Sequence, residues 1–176
     1  MSAQEVAQMH LHSTGMRWDK YPAKDANLSD IDIENVKRYI KKAKETGRKK
    51  IGDDEEPMKV LEKMSLITQG QPTWAAILLF SNETNRFISQ AAIHCGRFKE
   101  KNIVIDDRMI VGTVFEQIDE AMDFIRKNIN VEFVMTGKPE RDQIWDYPLE
   151  ALREALINAV CHRDYTIFSK DRSANL

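Results

Sequence analysis

The chain contains 176 residues, of which 42% are hydrophobic and 31% are charged, and its formal net charge at pH 7 is −2. This length and composition are typical of one packed domain, or of one domain and a fraction of another, and they exclude a low-complexity or fibrous chain. The small net charge gives no overall attraction to nucleic acid or to a membrane surface.

Nothing in the sequence indicates a membrane protein or a secreted one. The longest apolar run, Trp74 to Phe80, is much shorter than the roughly 20 residues that a membrane-spanning helix needs. The N-terminus lacks the basic and then apolar layout of a signal peptide. Cys95 and Cys161 fit a reducing cytosol, and we interpret both as small buried hydrophobic residues. We therefore expect a cytoplasmic protein with no membrane partner.

Residues 1–28 show little periodicity, and we interpret them as irregular or as the tail of an upstream domain. Gln8 to His12 alternates between polar and apolar residues like a short strand, and Trp18 to Pro22 is a second candidate strand. The first clear element of the packed core is therefore expected after residue 28.

A basic amphipathic helix is predicted from Ser29, which forms an approximate capping box with Asp32, to Gly47. This helix and the residues directly after it carry basic side chains that could bind a phosphate backbone: Lys37, Arg38, Lys41, Lys42, Lys49 and Lys50. An acidic run at 53–56 follows at once, so the alternative is a solvated face that the acidic run neutralises locally.

Residues 29–82 are predicted to be a helical connecting region. A second helix runs from about Pro57 to Ile67, a turn follows at 69–72, and Thr73 caps a third helix that ends at Phe80. Because the third helix is apolar almost all round, it cannot read a DNA groove, and we expect this pair of helices to pack into the core.

From Ile88 the hydrophobic period changes to two, which predicts strands. The predicted strands are Ile88 to Phe98, Ile103 to Ile105, Met109 to Val114 and Asn130 to Thr136, the last followed by a turn at 137–139. An amphipathic helix from Phe115 to Ile129 separates the last two strands, with acidic residues in its first half and basic residues at its end.

The last predicted helix begins at Pro148 and carries two distinct stripes. Glu154, Asn158 and His162 recur at helical spacing, whereas the apolar residues of the helix fall on roughly the opposite side (Leu152, Leu156 and Ala159). A carboxylate can accept a proton from an attacking water, and an amide oxygen suits a hard cation such as Mg²⁺. The alternative is a solvated polar face whose imidazole interacts with the dipole at the helix end.

The segment Glu154-x-x-x-Asn158-Ala159 resembles the N-box helix of the GHKL ATPases. The longer string from Ala151 to Tyr165, ALREALINAVCHRDY, is similar to a signature of predicted transcriptional regulators of bacteria and archaea that are often labelled RecG-like helicase-related proteins. Further segments match the same family in the same order: Leu61 to Ile67, Gln71 to Phe80, Ala92 to Phe98 and Val111 to Ile118. This resemblance implies a Schlafen/AlbA-like DNA-binding domain, then a connecting region, then a GHKL-type ATP-binding region.

The resemblance also implies roles for the polar stripe. Glu154 would position or activate water, Asn158 would hold the Mg²⁺ of Mg-ATP, and His162 and Arg163 would lie close to the phosphates, with Asp164 orienting them. The adenine-binding D-x-G-x-G motif and the glycine-rich lid of that family do not follow Tyr165. We therefore expect a fragment with an incomplete site that has no ATPase activity alone.

Together these observations predict an α+β fold. A helical N-terminal half would pack on a mixed, mostly antiparallel sheet, and two long amphipathic helices would complete an incomplete GHKL-like layer. The expected parts are 1–28, the connecting region 29–82 and the α+β region 83–176. The predicted function is that of a fragment of an ATP-binding transcriptional regulator, and the alternative is a non-enzymatic module for DNA contact or homodimerisation through the basic helix at 37–50.

Overall fold

The computed structural model describes residues 17–47, 51–52, 55–100, 103–129, 131–134 and 142–166. The chain divides into two compact units, Met1–Phe87 and Ile88–Leu176. Helices and antiparallel strand pairs occur in both, which confirms the α+β class. Within the described ranges, no helix is long and apolar enough to span a membrane.

The first unit is mainly helical. Its described elements are two 3₁₀ turns (Trp18–Lys20 and Leu28–Asp30), helices α1 (Ile33–Glu45), α2 (Pro57–Lys63), α3 (Trp74–Phe80) and α4 (Thr84–Phe87), and the two-residue strands β1 (Ile67–Thr68) and β2 (Gln71–Pro72). Strands β1 and β2 pair in an antiparallel manner. The fully buried side chains Val36, Leu61, Ile77 and Phe80 form the core of this unit.

The segment before α1 differs from the predicted strand. Trp18–Lys20 is a 3₁₀ turn, closed where Tyr21 N–H donates to the carbonyl of Trp18 at 3.1 Å. The turn brings the Trp18 ring to 5.9 Å from the ring centroid of Trp74. The prediction of a strand at Trp18 to Pro22 is therefore wrong, although Pro22 itself forms an isolated antiparallel bridge with Thr73. The candidate strand at Gln8 to His12 lies outside the described residues.

Helix α1 begins later than predicted. Its N-cap is Asp32, whose side chain accepts a hydrogen bond from Glu34 N–H at 2.8 Å, whereas Ser29 lies in the preceding 3₁₀ turn. The physical reason is a non-local contact, because Ile31 bridges Ser81 and Asp32 N–H donates to the Phe80 carbonyl at 2.8 Å. This contact keeps the backbone extended through Asp32 and delays the first helical turn.

Helices α2 and α3 frame the core of the first unit. Helix α2 ends at Lys63, earlier than expected, because Ser65 adopts a left-handed conformation with φ of 57° that a continuing helix cannot contain. Helix α3 agrees with the prediction, since Thr73 caps it by accepting a hydrogen bond from Ala76 N–H at 3.3 Å. Phe80 on α3 meets Tyr39 of α1 edge-on at 5.7 Å, so the apolar helix packs into the core as expected.

The second unit contains a long β-hairpin and two long helices. Its described elements are β3 (Ile93–Glu100), β4 (Ile103–Ile110), α5 (Val114–Asn128), β5 (Val131–Val134), β6 (Asp142–Trp145) and α6 (Leu149–Cys161). β3 pairs with β4 and β5 pairs with β6, and every described ladder is two-stranded and antiparallel. The predicted turn at 137–139 lies outside the described residues, and the sequence did not predict β6.

The hairpin also corrects two predicted boundaries. Strand β3 begins at Ile93 and not at Ile88, because residues 88–92 turn back on themselves through the hydrogen bond from Ala91 N–H to the Ile88 carbonyl. The predicted strand Ile103 to Ile105 and the first two residues of the predicted strand Met109 to Val114 belong to the single strand β4, which ends at Ile110. Gly112 then adopts a φ of 113°, which lets the chain turn into α5.

Helix α5 begins at Val114, one residue before the predicted start at Phe115. Thr113 and Glu116 form a reciprocal capping box at its first turn. Its buried side faces the hairpin and consists mainly of Ile118, Ala121, Met122 and Phe124. This helix therefore supplies half of the buried apolar residues described in the second unit.

Candidate functional site

Helix α6 carries the polar stripe of Glu154, Asn158 and His162, and little of the helix is buried. Leu152 and Leu156 are half-buried and Val160 is the only described residue of the helix that is buried, at 6% exposure. Ala159, which we expected on the apolar side, is exposed, because the seam follows the i, i+4 spacing that ends at Val160. The burial of apolar side chains therefore fixes the rotation of α6 only weakly.

Glu154 and Asn158 form the centre of the stripe. Both side chains are exposed, and Asn158 Nδ2 donates a hydrogen bond to Glu154 Oε1 at 3.3 Å. The sequence therefore predicted correctly that the two groups lie together, one helical turn apart. The contact engages the amide nitrogen of Asn158, so its carboxamide oxygen can serve as an acceptor or as a cation ligand.

His162 ends the helix. It is the C-cap residue, and its N–H donates to the Asn158 carbonyl at 3.0 Å. Its imidazole is exposed at the end of the predicted stripe. Asp164 lies two residues further on and accepts hydrogen bonds from the N–H and the hydroxyl of Thr166, at 2.9 and 2.6 Å. Asp164 therefore closes a local turn, and its predicted role in orienting phosphate ligands stays a prediction.

Arg163 makes contacts that the sequence did not indicate. Its Nη1 donates to the Ala92 carbonyl at 2.6 Å, and its guanidinium lies 5.6 Å from the centroid of the Tyr165 ring. Tyr165 donates its hydroxyl to the Val160 carbonyl at 3.1 Å, and its own carbonyl accepts a hydrogen bond from the Gln90 side chain. Burial raises the pKa of the Tyr165 hydroxyl, and the positive charge of Arg163 partly offsets this effect.

Two further side chains in this unit make contacts that the sequence did not indicate. Gln117, only 2% exposed, donates its side-chain amide to the carbonyls of Ala91 and Gly112, at 3.0 and 2.7 Å. Arg153 of α6 donates to Asp119 of α5 at 2.8 Å. A glutamine among the apolar residues of a predicted helix was the one available signal, because a buried amide needs hydrogen-bond partners.

The basic residues proposed for nucleic acid lie mainly on α1. Lys37, Arg38, Lys41 and Lys42 are all exposed. Lys37 Nζ contacts Glu34 Oε1 at 2.7 Å, and the Arg38 guanidinium donates to the Asn35 side chain. Both contacts lie within the helix and leave the basic surface facing outward. Lys49 and Lys50 lie outside the described residues.

The two cysteines differ from expectation. Cys95 on β3 is half-buried, and burial raises the pKa of its thiol. Cys161 is exposed, so the interpretation of both as buried residues is wrong, because in the last turn of α6 only Val160 points into the core.

The donor atoms of the stripe suit Mg²⁺ better than a transition metal. Among the described residues, no three His, Cys, Asp or Glu side chains cluster as a metal site would require. Mg²⁺ commonly uses one or two protein oxygens, with phosphate oxygens and water completing its coordination. The carboxamide oxygen of Asn158 fits that limited demand, so Asn158 would hold the ion beside a nucleotide, with the Glu154 carboxylate next to it.

Comparison with known proteins shows a fold similarity but no family. No protein-family model matches the chain, and no curated protein matches it. The chain is similar to the crystal structure of the DIP2311 protein from Corynebacterium diphtheriae, with a TM-score of 0.63 and 17% sequence identity over 90% of this chain. The match spans 31% of the DIP2311 chain, so this chain corresponds to about a third of that protein. At this identity the similarity concerns the fold alone.

Proposed function

We propose that this chain is a fragment of an ATP-binding transcriptional regulator, in which α6 supplies the magnesium and phosphate half of a GHKL-type site. One observation carries the proposal, namely the exposed contact between Asn158 Nδ2 and Glu154 Oε1 on a well-formed helix. It supports the resemblance of Glu154-x-x-x-Asn158 to an N-box, because a carboxylate and an amide oxygen are presented together to solvent. Under this proposal the protein would act in the cytoplasm.

The chemistry assigned to the two residues is distinct. Asn158 would ligate Mg²⁺ through its carboxamide oxygen, and Glu154 would accept a hydrogen bond from water near the terminal phosphate. His162 would lie close to the phosphates, with Asp164 orienting it, whereas the guanidinium of Arg163 is engaged by the Ala92 carbonyl. The residues assigned here do not include an adenine-binding D-x-G-x-G motif or a glycine-rich lid. We therefore expect the fragment to bind Mg-ATP weakly and not to hydrolyse it.

The test is calorimetric titration of Mg-ATP into the chain and into two matched variants. Asn158→Ala should abolish saturable binding, because it removes the oxygen ligand of the metal. Asn82→Ala changes an exposed asparagine of the first unit and should bind as the wild type does. Equal affinity of the wild type and Asn158→Ala would rule out the assignment.

A second candidate function is DNA contact through α1. The exposed basic side chains of Lys41 and Lys42 lie beside those of Lys37 and Arg38 and support this candidate. A basic helix face attracts the phosphate backbone and releases counterions on binding. This mode needs no nucleotide and no base-specific contact. A homodimer would present two such faces to one duplex.

Neutralising the basic face tests the second candidate. Lys41→Gln combined with Lys42→Gln should weaken binding to duplex DNA and reduce the slope of log affinity against log salt by about 2, since each lysine contributes about one phosphate contact. Lys59→Gln combined with Lys63→Gln, on α2, is the matched control. If the affinity for DNA does not change with salt concentration, this mode of binding is excluded. Sedimentation equilibrium with the same samples reports whether the chain forms a homodimer.

A further inference from the structure

The end of α6 is joined to the three residues that precede β3. Arg163 donates to the Ala92 carbonyl, and the Gln90 side chain donates to the Tyr165 carbonyl. From the other side, Gln117 of α5 donates to the Ala91 carbonyl between them. Residues 90–92 thus form a junction to which both long helices of the second unit are attached.

Tyr165 closes the end of the helix at the same place. Its hydroxyl returns to the Val160 carbonyl, one of the last carbonyls of α6, which have no partner within the helix. Its ring lies beneath the Arg163 guanidinium at 5.6 Å, within the range of a cation–π contact. The same guanidinium is therefore held by two contacts, the cation–π contact with Tyr165 and the hydrogen bond from Nη1 to the Ala92 carbonyl.

Polar contacts supplement the apolar packing of α6. Val160 is the only buried residue of the helix among those described, and Leu152, Leu156 and Ile157 are half-buried, so apolar packing holds the rotation of the helix less firmly than a fully buried seam would. The contact between Arg153 and Asp119 holds the first half of the helix, and the Arg163–Tyr165 pair holds its end. Asn158 lies between these two attachments. It is one turn before His162, and the His162 N–H donates to the Asn158 carbonyl.

We propose that Arg163 and Tyr165 are positioning residues that fix the direction in which α6 presents Glu154 and Asn158. Under this assignment Arg163 acts on the site through the junction at residues 90–92 and not by contacting phosphate. The expected effect of this positioning on nucleotide binding rests on the proposed function. The attachment itself is a property of the protein without nucleotide and can be measured there.

The test uses the whole chain and the variants Arg163→Ala, Arg163→Lys and Tyr165→Phe. Without nucleotide, Arg163→Ala should raise the amide exchange rates of His162 and residue 163 roughly tenfold, since it removes a charge-assisted hydrogen bond. It should also shift the side-chain amide resonances of Asn158. Arg126→Ala removes an exposed arginine that pairs with Asp123 within α5, and it should change neither readout.

The lysine variant separates positioning from direct phosphate contact. Lysine keeps the charge but lacks the planar group that stacks on Tyr165, so Arg163→Lys should resemble Arg163→Ala in exchange and in the Asn158 resonances. Tyr165→Phe should shift the same resonances while Arg163 remains. The proposal would be overturned if Arg163→Ala had the amide exchange rates and the Asn158 resonances of the wild type. It would also be overturned if Arg163→Lys bound Mg-ATP as the wild type does and Arg163→Ala did not.

The two proposals fail in different ways. If the wild type does not bind Mg-ATP, the proposed function fails, and the exchange rates and resonances measured without nucleotide still decide whether the junction positions α6. If the wild type binds Mg-ATP and Asn158→Ala does not, but Arg163→Ala leaves the amide exchange rates unchanged, the nucleotide site stands and the positioning role is excluded.

Discussion

At the scale of single residues, Tyr165 shows how burial and hydrogen bonding act together. The hydroxyl is partly buried, which raises its pKa, and it donates to the Val160 carbonyl. Ionisation would remove the donated proton and place a negative charge beside a carbonyl oxygen. The protonated form therefore stabilises the end of α6, and the Arg163 charge limits the size of the pKa shift without reversing it.

Tyr165 gives a pH-dependent prediction. Because its folded-state pKa is raised, its contribution to the free energy of unfolding is complete below the ordinary tyrosine pKa of about 10 and is lost as the pH rises through the folded value. The difference in unfolding free energy between the wild type and Tyr165→Phe, measured by urea denaturation, should shrink over that range. Tyr147→Phe, at an exposed tyrosine, should show no such change, and a difference that grows with pH would contradict the account.

At the scale of elements, local capping determines where several helices begin. Thr73 lies where the sequence predicts it, because its partner is three residues away, and the Thr113–Glu116 box, which was not predicted, is equally local. The start of α1 could not be predicted in this way, since Ile31 is held by Ser81 and Asp32 by Phe80, about fifty residues away. Boundaries set by short-range hydrogen bonds are thus readable from the sequence, and those set by tertiary contacts are not.

Gly112 links the hairpin to the capping box of α5. A Cβ at this position would lie 2.9 Å from Glu116 Oε2, and the φ of 113° is strained for any L-residue. Gly112→Ala should therefore lower the free energy of unfolding by about 2 kcal/mol, combining backbone strain with a disturbed cap. Gly70→Ala, where φ is 76° and a Cβ would meet nothing within 4 Å, should cost only about 1 kcal/mol. Equal losses in chemical denaturation would show that the contact with Glu116 is unimportant.

At the scale of the whole molecule, the α+β class and the alignment of Glu154 with Asn158 could be predicted from hydrophobic periodicity. The junction at residues 90–92 could not, because it joins Arg163 to a carbonyl 71 positions earlier in the chain and no local pattern encodes that pairing.

The most direct test of the central claim replaces Mg²⁺ by paramagnetic Mn²⁺. Mn-ATP, added in small proportion to the ¹⁵N-labelled chain, should broaden the side-chain amide resonances of Asn158 and the backbone resonances around Glu154 before those of any other residue. Asn82, in the first unit, serves as the internal reference. Uniform broadening, or broadening that leaves Asn158 unchanged, would contradict the assignment of α6 as the metal and phosphate half of a nucleotide site.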